Sequence, residues 1–117
     1  MASKRKLKKQ IHYACGDMAA ETILASHFIE GFDRKIAEGL VSQIAQLQID
    51  TLSRCSFNFD RTPRDFKNKA EYNRARRAYF KAAFKQLRND FTTRAQEIVH
   101  AMNQALPQSV RDQLKNS

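Results

Sequence analysis

The chain has 117 residues, of which 42% are hydrophobic and 28% charged, with a formal net charge of +9 at neutral pH. That is enough apolar content to build one packed domain over residues 1–117, which excludes a disordered chain, and no apolar run approaches the length of a membrane span. Three Gly and two Pro leave the chain with little punctuation, so it should be built from few, long elements.

The charge is unevenly spread. Residues 1–10 carry five Lys/Arg and no acid, residues 11–60 a net −4, and residues 61–94 a net +8. The run Lys4-Arg5-Lys6-Leu7-Lys8-Lys9 resembles the basic start of a signal peptide, but Gln10, His12, Gly16 and Asp17 follow where an apolar stretch would be needed. Cys15 and Cys55 are too few for a disulfide framework and form no CxxC pair. The expectation is cytoplasmic residence with both thiols reduced.

The first helix is expected over about 5–30. Leu7, Ile11, Ala14, Met18, Ala25 and Ile29 recur in threes and fours, with Thr22 filling the missing turn. The stripe passes through Gly16 without changing phase, so the helix should continue there despite a cost of about 1 kcal/mol relative to Ala. Gly31 sits where a left-handed residue ends a helix. The second helix is expected over about 33–56, capped by Asp33, with Ile36, Leu40, Val41, Ile44, Leu47, Leu52 and Cys55 inward and Ile49 off the stripe. Phe57 and Phe59 should then tuck both rings against the end of the core.

Thr62-Pro63 reads as the start of the third helix, expected over about 63–106 with Asp65 in its first turn. Its stripe is Phe66, Ala70, Phe80, Phe84, Leu87, Phe91, Ala95, Ile98, Met102 and Leu106, and Pro107 stops it. Such a helix outreaches the other two. It should overhang them, or bend near Asn89-Asp90-Phe91-Thr92-Thr93, where side chains compete for backbone hydrogen bonds. Residues 108–117 read as a flexible polar tail. The fold predicted is an all-α antiparallel bundle of three long helices, or four if the last breaks near residue 90.

Two constellations invite a chemical reading. Glu97-Ile98-Val99-His100 matches the Glu-x-x-His pairing of carboxylate-bridged di-iron bundles. At 100° per residue His100 points about 180° from the apolar stripe, and there is no second copy of the motif. His12 and Cys15 share one side of the first helix, Asp17 and Glu21 another, so the four do not converge on one metal. Cys15 and Cys55 read as small core hydrophobes. No nucleophile elbow, phosphate-cradling Gly loop, dinucleotide fingerprint or zinc-protease motif is present. No enzymatic activity, cofactor or metal is therefore expected.

Basic residues provide the main functional signal. Lys67, Arg74, Lys81 and Arg88 recur every seven positions, and Arg77 and Lys85 fill the same sector. On a helix they flank the apolar seam, where cations steer partners or cover the edge of a core. With Lys4, Arg5, Lys6, Lys8 and Lys9 they are the candidate polyanion-binding set, and Tyr72 and Tyr79 lie on the opposite flank near Arg76. Two readings follow. One is a non-enzymatic interaction or self-associating scaffold module that dimerises through the third helix. The other is a nucleic-acid-associated protein that grips phosphates through the basic stripe and N-terminus; a membrane partner is not expected.

Overall fold

The computed structural model describes residues 4–56, 58–108, 110 and 112. It contains α1 (Lys4–Phe28), α2 (Arg34–Ser53), a 3₁₀ turn (Pro63–Asp65) and α3 (Lys69–Ala105), packed against one another in a body of 65 × 27 × 17 Å. Among the described residues there is no strand, and no helix is long and apolar enough to cross a membrane.

Helix α1 buries Leu7, Ile11, Cys15 and Thr22 and runs through Gly16 without interruption. The Thr22 hydroxyl is fully buried, donates to the Met18 carbonyl at 2.8 Å and lies 3.3 Å from Met102 Sδ on α3. Its place in an apolar stripe therefore costs no unpaired donor. After α1, Gly31 adopts φ +89°, the left-handed conformation that the turn into α2 requires. The Asp33 carboxylate then accepts from the Lys35 N–H at 2.8 Å and caps α2.

Helix α2 turns a narrower stripe inward than expected. Ala37, Leu40, Ile44, Leu47 and Thr51 are buried, while Ile36 is 45% exposed and Val41 and Leu52 are half-buried; the helix ends at Ser53 rather than 56, so Cys55 is buried in the turn that follows. Small Ala37 faces a tight junction with Phe32 and Leu106, which together make a second, smaller core cluster. The main cluster joins Leu7, Ile11 and Cys15 of α1 to Leu40, Ile44, Leu47 and Cys55 and to Phe84, Leu87 and Ile98 of α3.

The expected start of the third helix at 63 is corrected. The Thr62 N–H donates to Asp65 Oδ2 at 2.9 Å, but this box closes only a single 3₁₀ turn. Phe66 is extended at φ −124°, ψ 156°, and Asn68 re-caps the chain by accepting from the Glu71 N–H at 2.9 Å. Asn68 with Glu71 three residues on is itself a capping signal. The Thr62-Pro63 signal upstream overshadowed it.

The four-helix alternative is also corrected, because α3 is unbroken through residue 90. The competing side chains there find partners without opening the backbone. Thr93 Oγ1 donates to the Asn89 carbonyl at 3.0 Å, and Asp90 accepts from Gln86 and Arg54. Helix α3 ends at Ala105, with Leu106 as its cap and Pro107 beyond.

Two exposed ion pairs join α2 to α3, Arg54–Asp90 at 2.8 Å and Asp50–Arg94 at 3.2 Å. Between α1 and α2, Gln48 Nε2 and His12 Nδ1 are 2.9 Å apart. Phe57 lies outside the described residues, as does most of the expected tail at 108–117. Within that tail, Val110 packs on the smaller cluster.

Glycine substitutions separate conformational demand from available space. A Cβ at Gly16 would meet nothing within 4 Å, so Gly16→Ala should raise stability by about 0.5–1 kcal/mol. At Gly31 the backbone is left-handed and a Cβ would come 3.3 Å from Pro107 Cγ. Gly31→Ala should lower stability by more than about 1 kcal/mol, with urea midpoints as the check on both.

Candidate functional site

Helix α3 carries seven side chains that line one groove of about 550 Å³: Arg77, Phe80, Lys81, Phe84, Lys85, Arg88 and Asn89. The helical repeat explains the grouping. Positions 77, 81, 84 and 88 are spaced by four, three and four, so they share a side of the helix, with 80 and 85 on its two shoulders. Phe80 and Phe84 form an apolar floor that also belongs to the core surface, and the four cations rim it. From Arg77 to Asn89 the groove extends about 18 Å along the axis at 1.5 Å per residue.

Four expected cations thus converge: Arg77, Lys81, Lys85 and Arg88. Two do not. Arg74 is exposed one turn before the groove, and Lys67 lies outside α3, on the bend before the Asn68 cap. The seven-residue repeat is real in the sequence, but its first member has no helix to stand on.

At the N-terminus, Lys4 Nζ lies 5.7 Å from the centre of the Phe80 ring, bringing the start of α1 to the groove floor. Arg76, absent from the expected set, sits 5.0 Å from the same ring. Its signal was the spacing of four to Phe80, which favours a cation–π contact. Arg5, Lys6, Lys8 and Lys9 are exposed on the first turns of α1.

The aromatics on the opposite flank are already engaged with one another. Phe59 packs 6.3 Å from Phe66, 5.8 Å from Tyr72 and 5.4 Å from Tyr79 between ring centres. This corrects the expectation that Phe59 tucks into the end of the core. It covers the first turns of α3 instead, because α2 stops short of them.

Among the described residues no ion pair takes up the cations of the rim. Among the described residues the two ion pairs use Arg54 and Arg94, and none of Arg77, Lys81, Lys85 and Arg88 takes part in one. Four cations around an apolar floor suit a ligand that presents both negative charge and apolar surface.

Comparison with protein families, curated proteins and solved structures finds no match. The chemistry of this site is therefore read from its own residues.

The other sequence constellations fall elsewhere. Glu97 and His100 are exposed on α3, with His100 lining a separate shallow groove beside Phe91 and Val99. Among the described residues no group of three or more His, Cys, Asp or Glu side chains is placed to hold a metal. Cys15 and Cys55 are free and buried in the main cluster. Burial pushes both thiols above their ordinary pKa, and for Cys55 the charges of Lys8, Lys4 and Arg54 pull part of the way back.

Two solution measurements test this description. Buried, protonated thiols are poor nucleophiles, so a disulfide reagent should label neither cysteine in the native protein and both after denaturation. Hydrogen bonds from Arg54 and Gln86 hold the Asp90 carboxyl below the usual carboxylate range. A depressed folded-state pKa stabilises above the unfolded value of about 3.9 and is lost as pH falls through the folded one. Asp90→Asn should therefore flatten the acid limb of stability below about pH 4, read by thermal melts across that range.

Proposed function

We propose that this protein is a non-enzymatic interaction module of the cytoplasm whose working surface is the cation-rimmed groove of α3. A single observation carries the reading: Arg77, Lys81, Lys85 and Arg88 surround Phe80 and Phe84 and take part in no ion pair among the described residues. Such a surface favours a partner that offers acidic side chains around an apolar patch, because each half of the groove then finds its complement. We further propose that the three helices form an antiparallel bundle. Supporting this, Arg54 meets Asp90 while Asp50 meets Arg94, so a step back along α2 answers a step forward along α3. Lys4 near Phe80 and Thr22 near Met102 support α1 running in the same sense as α3.

A titration of ¹⁵N-labelled protein with a synthetic amphipathic helix of Leu and Glu tests the groove. Amide shifts should concentrate between Arg77 and Asn89. The triple reversal Lys81→Glu, Lys85→Glu, Arg88→Glu should weaken binding by about tenfold or more, since each exposed pair contributes up to about 1 kcal/mol. Unaltered affinity in a variant with native helix content defeats the proposal.

Nucleic-acid association is the second reading, favoured by Lys4 reaching the groove floor and so linking the two basic segments. It predicts a gel shift that weakens with salt. Removing three phosphate contacts should cut the slope of log affinity against log salt by about 3 for duplex DNA. No retardation at low salt removes it.

A further inference from the structure

Helix α1 presents a second apolar face, opposite the one it buries. Tyr13 is 70% exposed, Leu24 54% and Phe28 81%. With exposed Asp17 and Ala20 between them, these residues follow one another at spacings of four, three, four and four, which puts them on one side of the helix. Leu7, Ile11, Cys15 and Thr22 face the core from the other side. Exposed Glu21 sits beside Asp17, one turn further on. From Gln10 to Asp33 the sequence contains no Lys or Arg, while Asp17, Glu21, Glu30 and Asp33 make it net −4. Leu24 and Phe28, one turn apart, are the largest contiguous part of this face, and contiguous exposed apolar surface marks interaction sites.

This face is the chemical complement of the α3 groove. One has aromatic and aliphatic side chains with Asp17 and Glu21 beside them and Lys6 and Lys9 at its N-terminal end, the other a Phe floor rimmed by cations. Their lengths also agree: Tyr13 to Phe28 spans about 22 Å and the groove about 18 Å at 1.5 Å per residue. Within one copy the two cannot meet, because α1 turns its opposite side to the bundle. We infer that the occupant of the α3 groove is the outer face of α1 from a second copy of this chain, so that copies associate head to tail. The inference rests on the groove being the working surface, as proposed above, and assigns its partner.

A symmetric groove-to-groove dimer is the competing geometry, and its charges oppose it. Setting one rim against another would bring Arg77, Lys81, Lys85 and Arg88 of both copies together with no carboxylate among the lining residues. The α1-to-α3 contact instead joins opposite local charges, and the remaining net charge is largely screened beyond a Debye length of about 8 Å at physiological salt. Because two different patches meet, the contact is heterologous and builds open chains or rings.

A charge-swap experiment decides the matter by sedimentation equilibrium. Wild-type protein should show a weight-average mass that rises above 13.5 kDa with concentration. The groove reversal (Lys81→Glu, Lys85→Glu, Arg88→Glu) and the face reversal (Asp17→Lys, Glu21→Lys) should each be monomeric alone, with native far-ultraviolet circular dichroism. Mixing them should restore association, since each reversed patch then meets an opposite partner. Phe28→Ser, a change at an exposed position, should weaken wild-type association at least about tenfold, the equivalent of 1.4 kcal/mol. A wild-type protein that stays monomeric near 500 μM (about one molecule per 150 Å cube), or a mixture that stays monomeric, overturns the inference. If the synthetic acidic helix still binds the groove in either case, only the identity of the partner has failed. If it does not bind, the groove itself is not the working surface.

Discussion

A helix of 20 residues must serve a neighbour of 37. At 1.5 Å per residue, α2 reaches about 30 Å and α3 about 55 Å, so the shared core cannot extend along the whole of α3. Burial is complete where the helices overlap, as at Ile44, Leu47 and Leu87, each 2% exposed or less. Beyond the overlap, apolar residues of α3 must find other cover. The segment after α2 supplies some of it, laying Phe59 and Phe66 over Tyr72 and Tyr79. Phe80 and Phe84, between that aromatic cluster and the deep core, become the floor of the groove. The site thus follows from a mismatch in helix length.

Electrostatics divides along the same line. In the overlap, carboxylates of α2 and α3 meet arginines across the junction, at Asp50 with Arg94 and Asp90 with Arg54. Exposed pairs of this kind add little stability but favour one register over its neighbours. The cations that rim the groove lie outside these pairs. Asp17 and Glu21 sit instead on the outer side of α1.

Much of the architecture was legible from residue spacing. The periodicity of α1, the Asp33 cap, the turn at Gly31 and the stop at Pro107 all depend on interactions within a few residues, which the sequence displays directly. The start of α3 differs from the expected one because two capping signals compete, Thr62 with Asp65 and Asn68 with Glu71, and local pattern does not rank them. The alternative of a break near residue 90 is ruled out for a related reason. Thr93 bonds back within the helix, while the partner that holds Asp90 most closely comes from α2.

The seven-residue repeat of basic residues shows where the boundary lies. Sequence alone determined that residues 61–94 are strongly cationic and that Arg77, Lys81, Lys85 and Arg88 share a side of a helix, because helical phase is a property of spacing. Tertiary structure decided that Lys67 falls off that helix, that Lys4 reaches Phe80, and that Phe84 is buried in the main cluster while Phe80 stays half-buried beside it. Those outcomes turn on which surfaces the neighbouring segments have left to bury. Only the packed molecule contains that information.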